Sequence, residues 1–522
     1  MKRRNFFKTA AIGGGSLALA PLSSCVQSTA PVTVIEDYSA FDLNEVTIAQ
    51  LQEKMSSGAL SSIEITQKYL NRIEQIDKKG PELRAVIEIN PEALDIARLL
   101  DEERKSGKIR SPLHGIPVLI KDNIDTGDKM QTSAGSLALT GSPAPDDAFI
   151  VKKLREAGAV LLGKTNLSEW ANFRSTKSSS GWSGRGGQVR NPFCLDRSPC
   201  GSSSGTGSAV SANLCAIGIG TETDGSIVCP SGINGIVGIK PTLGLWSGDG
   251  IIPISHSQDT AGPMARTVAD AATLLSSLAE KPQDYSQFLD AGGLKNARIG
   301  LASELFGFHS GVDQLMADAI QKMKDSGAIL VENLKLENRK EWGDLEWKVL
   351  LCEFKADLNL YLKTRPGLKV QSLADLIEFN KKNADSELKW FGQEIFEEAE
   401  KMKGLDDAEY MQALAKAKEL SQKGIEKLMD QHQLDALIAP TNGPAWTIDW
   451  VNGDHFGGGS SEPAAISGYP NISVPAGYVH GLPVGISFFG RAWSEPTLIK
   501  LAYAYEQATK HRKAPGFLSS VG

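Results

Sequence analysis

Residues 198–231 read SPCGSSSGTGSAVSANLCAIGIGTETDGSIVCPS. Two serines, Ser202 and Ser226, stand 24 positions apart among glycines and other small residues. Such density lets the chain turn often and lets backbone approach backbone where side chains would obstruct. Upstream, residues 112–126 read PLHGIPVLIKDNIDT, with Lys121 closing a short apolar run. A serine nucleophile needs a base, and a lysine serves as one only where burial strips its charge. Together these residues suggest acyl transfer without histidine.

Working outward, helix and strand alternate. Ile48, Leu51 and Met55, then Ile63, Tyr69, Leu70 and Ile73, recur at helical spacing with a break near Gly58, which predicts two helices. Residues 84–90 (RAVIEIN) predict a strand and 91–105 a helix with Pro91 near its first turn; 117–121 and 159–163 predict strands flanking a helix at 146–158. This is the α/β pattern. From 280 to 435 the character changes: Val312, Leu315, Met316, Ala319, Ile320 and Met323 form a helical stripe, and charged amphipathic stretches follow at 341–363 and 396–430. That region is expected to be a helical insertion. Strands return at 435–441, 471–475 and 483–490. A length of 522 residues suits two domains or one large α/β domain with insertions.

Composition is that of a globular protein, 41% hydrophobic and 22% charged, and a formal net charge of -7 argues against a nucleic-acid partner. Residues 1–24 read as an export signal. Lys2-Arg3-Arg4-Asn5-Phe6-Phe7-Lys8 is similar to the twin-arginine type, and the run from Thr9 to Pro21 is too short and glycine-rich to span a bilayer. Leu22-Ser23-Ser24-Cys25 resembles a bacterial lipobox, so Cys25 is expected to carry a lipid anchor, with residues 25–42 as a tether and 43–515 as the folded domain. The expected location is periplasmic or outer-surface, with membrane contact through the lipid alone. Five cysteines remain, Cys194, Cys200, Cys215, Cys229 and Cys352, an odd set from which spacing selects no disulfide. No CxxC spacing or His/Cys cluster points to a metal, and no cofactor is expected. Nothing in the sequence speaks to oligomeric state.

Two literal motif matches mislead. Gly158-Ala-Val-Leu-Leu-Gly163-Lys164-Thr165 fits GxxxxGK[ST], but AVLL reads as a buried strand, which cannot wrap a phosphate while paired in a sheet. Gly201-Ser202-Ser203-Ser204-Gly205 fits GxSxG, which would make Ser203 a nucleophile at a strand-to-helix elbow. The preceding Leu195-Asp196-Arg197-Ser198-Pro199-Cys200 does not make that strand, and His256 is the least implausible of the downstream histidines as a base. For Ser226 the alternatives are a glycine-rich turn without catalytic duty and a nucleophile beside the converging N–H groups of Thr223, Asp224, Gly225 and Ser226, an oxyanion hole.

The whole set decides between them. Gly201-Ser202-Ser203-Ser204-Gly205, Gly220-Thr221-Glu222-Thr223-Asp224-Gly225-Ser226-Ile227 and Pro230 resemble the amidase signature family. Gly115 to Asp122, Gly163 to Glu169 and Gly481 to Gly485 are similar to its other core segments, in the same order, across residues 45–510. The wording SPCGSSSG, GTETDGSIVCP and DGIIPIS is most similar to bacterial peptide amidases, which remove the C-terminal amide of peptides. The resemblance implies an α/β fold with a central mixed sheet flanked by helices on both faces. It also implies a Ser-Ser-Lys triad: Ser226 as nucleophile, Ser202 as bridge beside a cis peptide bond, and Lys121 as base. The substrate would be a small-molecule or peptide amide. Val228 and Asp224 depart from the usual arginine and glycine, leaving pocket polarity open. Other functions to weigh are hydrolysis of aryl or alkyl amides, an amidotransferase subunit, against which the export signal speaks, and a non-catalytic binding lipoprotein.

Overall fold

Eleven strands form one mixed sheet among the described residues of this computed structural model, which describes Tyr38 and residues 40–521. Cys25, the export signal and most of the tether lie outside them. In chain order the strands are β1 (Val86–Ile89), β2 (Pro117–Lys121), β3 (Val160–Thr165), β4 (Ile217–Glu222), β5 (Val237–Lys240), β6 (Thr260–Ala265), β7 (Arg298–Ala302), β8 (Ile329–Leu334), β9 (Ala436–Pro440), β10 (Asn471–Val479) and β11 (Leu482–Phe489). Their order across the sheet is β1-β3-β2-β4-β6-β5-β10-β11-β9-β7-β8.

The predicted N-terminal helices are Ile48–Ser56 and Ser62–Arg72, each opened by a capping box from Thr47 or Ser61. The expected helix at 146–158 is Phe149–Glu156, leading into β3. The AVLL segment is therefore ladder-bonded, as its apolar character requires.

The parallel trio β3, β2 and β4 positions the site. Residues Val118 to Ile120 pair with Ile217 to Ile219, so Lys121 and the Thr221-Glu222 end of β4 emerge side by side at the carboxyl edge of the sheet. In open α/β sheets that edge is where ligands bind. Between β3 and β4 lies the helix Ser204–Ser211, built from SGTGSAVS and buried on every side. A Cβ on Gly205 would lie 2.3 Å from the carbonyl oxygens of Ala85 and Asn166, and one on Gly218 would lie 2.6 Å from Thr206 Cγ2. The small residues are thus what lets this helix press flat against the strands and set Ser202 to Ser204 over the strand ends.

The region 280–435 is not purely helical. It contributes β7 and β8, paired in parallel, at one edge of the sheet. β7 is short with a central glycine, and β8 is an edge strand whose Ile329, Glu332 and Asn333 face solvent. Neither shows a clean alternation, and the long helices around them dominate the pattern. Those helices cover the site side: in Arg339–Lys363, Phe354 and Leu358 pack in one cluster with Phe173, Ile252, Ile254 and Phe396. The described residues 40–521 fall in a single compact unit.

Candidate active site

Lys121 is fully buried at the end of β2. Its Nζ lies 2.7 Å from Ser202 Oγ, 2.9 Å from Thr221 Oγ1 and 3.3 Å from the Thr221 carbonyl oxygen. An ammonium would donate to all three. A neutral amine keeps two N–H groups for Thr221 and turns its lone pair to Ser202, the arrangement a base requires. Burial pushes the Lys121 pKa down to about 7, against a smaller upward pull from the charges of Asp259 and Glu222.

Four serines lie on the two glycine-rich segments, one of them in contact with this lysine, and geometry separates them. Ser202, Ser203 and Ser204 are completely buried, whereas Ser226 is 8% exposed. Ser203 Oγ donates to the Thr221 carbonyl (3.0 Å) and accepts from the Thr221 N–H (3.2 Å), so it braces the end of β4. Ser204 Oγ donates to the Cys200 carbonyl at 2.6 Å. Both are fixed as loop supports, and Leu195 to Cys200 form no strand ahead of an elbow. Ser202 follows a cis peptide bond from Gly201. The backbone of Ser226 is held beside this segment by Ser203 N–H donating to the Ser226 carbonyl at 3.2 Å, and its hydroxyl makes no hydrogen bond to another described residue.

The turn Thr223-Asp224-Gly225-Ser226 connects β4 to the helix Val228–Ile233. None of its four backbone N–H groups donates to another described residue. Buried donors are almost always paired, so a run of free ones is a place prepared for an acceptor. Gly225 has φ +80°, a left-handed conformation that glycine adopts without strain. Two carboxylates hold the turn. Glu222 accepts from the N–H groups of Ile227 (2.7 Å) and Val228 (3.0 Å). Asp259 accepts from Thr223 Oγ1 (2.5 Å) and from the N–H groups of Ile254 and Ser255. The Asp224 side chain is exposed and Val228 is buried.

A disulfide joins Cys200 to Cys229, with 6.1 Å between their Cα atoms. It ties the segment bearing Ser202 to the one bearing Ser226. A crosslink of this span contributes about 2 to 4 kcal/mol, largely by restricting the unfolded chain. Cys194, Cys215 and Cys352 are free and buried.

These segments, with the core around them, match the amidase family model over residues 64–499. The chain belongs to the amidase family. A probable amidase from Arabidopsis thaliana is 43% identical over 95% of this chain and 96% of its own length. The crystal structure of native peptide amidase from Stenotrophomonas maltophilia is 51% identical, with a TM-score of 0.87, covering 91% of this chain and 99% of that one. A structure of peptide amidase in complex with the competitive inhibitor chymostatin is 52% identical, with a TM-score of 0.89 and coverage of 91% and 100%. The amidase is an amide-hydrolysing enzyme with the amidase signature fold.

Structure adds residues to the amidase site that sequence reasoning passed over. Thr221 supplies two of the three contacts to Lys121, and Asn123 Nδ2 donates to the same Thr221 hydroxyl at 3.0 Å. Their signal was present in their places: each is within two residues of a segment end already singled out. Asp259, 35 positions beyond Asp224, reaches the turn only because β6 returns antiparallel beside β4. His256 belongs elsewhere. Its Nδ1 lies 2.8 Å from Asp357 Oδ2, and with Glu353 these side chains bring three metal-type donors within 4.8 Å, a cluster not legible in the sequence. Both Glu353 oxygens are already taken, by Tyr410 and by Ser255 and Ser257, so the cluster reads as packing.

Proposed function

We propose that this amidase hydrolyses primary carboxamides, the C-terminal amide of peptides foremost, through Ser226, Ser202 and Lys121. The observation that carries this reading is the buried Lys121 amine 2.7 Å from Ser202, with the free N–H groups of residues 223–226 next to the one serine of the four that meets solvent. Ser226 Oγ attacks the amide carbon. Its proton passes through Ser202 to Lys121, and the oxyanion is held by the N–H groups of Thr223 to Ser226, each such donor being worth about 2.7 to 4 kcal/mol in comparable sites. The proton returns by the same path to the nitrogen, the C–N bond breaks, and ammonia leaves an acyl-enzyme. Water then takes the place of the amine, and the reverse relay frees Ser226. The relay from Ser226 to Ser202 forms with substrate bound, since catalytic hydrogen bonds commonly tighten only in the Michaelis complex.

Peptide amides are placed first because peptide amidase is the neighbour at 51% to 52% identity over essentially its whole length. Ammonia release should be fastest from peptide amides in a panel that also contains glutamine, aryl amides and fatty amides. Faster turnover of any of the other three would displace the substrate assignment.

We also propose that the enzyme is exported and lipid-anchored at Cys25. The Cys200–Cys229 disulfide supports this, because such bonds persist in oxidising compartments. Native protein should fractionate with membranes and Cys25→Ser with the soluble fraction; equal partitioning of the two would refute the anchor.

A further inference from the structure

A cavity of about 840 Å³ runs inward to Asn123, Thr221, Thr223 and Asp259. It thus ends on the residues that grip Lys121 and the turn before Ser226. Its size falls in the range of small-molecule sites, about 300 to 1,000 Å³. Seven carboxylates line it, against one lysine and one histidine. Arg365 stands 3.5 Å from Asp125, Arg155 2.8 Å from Asp147, and His256 2.8 Å from Asp357. Asp146, Asp249 and Glu280 take part in no ion pair among the described residues, and Lys152 alone stands against them on the wall.

A second, independent feature points the same way. Asn123 and Thr260 both line the cavity, both are 4% exposed, and Asn123 Oδ1 and Thr260 Oγ1 have no hydrogen-bond partner among the described residues. A buried polar atom without a partner costs about 1 to 3 kcal/mol, so the inner wall suits a hydrogen-bonding group, and Asn123 Oδ1 in particular suits a donor. Trp246, Ile252, Ile254 and Tyr361 also line the cavity and give it apolar surface that suits the stem of a long cationic side chain. An anion would meet the rim at a loss, and a neutral apolar group would leave these polar atoms dry.

We infer that this cavity is a subsite for a cationic side chain, the ammonium or guanidinium of a lysine- or arginine-containing peptide amide. The inference rests on the amide-hydrolase reading of the neighbouring site. It makes the enzyme selective for basic peptides among the amides it cleaves. Recognition by an open carboxylate rim is electrostatic and weakens as salt screens it.

The test compares peptide amides that differ only in lysine or norleucine, placed at each position in turn, on native enzyme and on Asp249→Asn/Glu280→Gln. Neither side chain makes a hydrogen bond or ion pair among the described residues, so the exchange removes charge and little else. At one position at least, the native enzyme should favour lysine over norleucine by about tenfold in kcat/KM, and the double variant should lose most of that ratio. Taking the ratio cancels any general effect of the substitutions on turnover. Calorimetric titration with benzamidine, a planar cation with N–H donors on an aryl ring, reads the cavity without catalysis, and its Kd should weaken about fivefold in the variant. A lysine-to-norleucine ratio at or below one at every position, a ratio unchanged by the double substitution, or no benzamidine binding would each overturn the subsite. Absence of hydrolysis for every amide would fall on the amidase reading, and the benzamidine titration would still judge the cavity.

Discussion

Ser226→Ala is expected to lower kcat for amide hydrolysis by roughly 10⁴- to 10⁶-fold, the range seen when the nucleophile of a serine triad is removed. Folding should be nearly unaffected. The Ser226 hydroxyl makes no hydrogen bond to another described residue, so alanine forfeits no pairing and opens no buried cavity of consequence. Ser203→Ala is the informative contrast. It removes the hydroxyl that both donates to and accepts from Thr221, so its cost of about 1 to 3 kcal/mol should appear as a lower urea midpoint, with any loss of rate following from a loosened strand end. Rate and urea midpoint measured on both variants decide the matter. Substantial turnover in a folded Ser226→Ala enzyme would remove Ser226 as nucleophile.

How far these roles were legible before the structure follows from the range of each signal. Lys121 could be placed because it closes IPVLI, an apolar run long enough to read as a central strand. The glycines around Ser202 and Ser226 mark the region in the sequence, because close packing demands them, as Gly205 and Gly218 show, but the choice of these two serines rests on the family resemblance. The Cys200–Cys229 bond left none: five cysteines with one pairing among them carry no spacing rule, and only the approach of the Cys200 loop to the helix Val228–Ile233 selects the pair. Asp259 was equally silent, since its contact with Thr223 depends on the antiparallel return of β6. β7 and β8 were lost for a different reason. β8 is an edge strand, exempt from alternation, β7 is short and buried with a central glycine, and the helix between them, Ser310–Asp325, carries the stronger stripe.

The pH profile carries the second large effect. In the proposed relay Lys121 can act as base only when neutral, and burial brings its pKa down to about 7. Activity should therefore be low in acid, rise tenfold per pH unit while the amine is mostly protonated, and level off above about pH 8, where neutral lysine predominates. The sign follows from the charge carried: protonation fills the lone pair that faces Ser202, and raising the pH frees it. An ordinary lysine with a pKa near about 10.4 would still be climbing at pH 9. Lys121→Met keeps the stem and deletes the amine. It should lower kcat/KM by roughly 10³- to 10⁴-fold at pH 8 and erase the acid limb, because no group in the relay would then titrate near 7. Asp259 and Glu222 pull the lysine upward, so neutralising Asp259 should move the limb toward lower pH in the native background and leave the Lys121→Met profile flat. The relay is refuted if the limb persists in Lys121→Met at its native position, because some other base would then be supplying the proton acceptor.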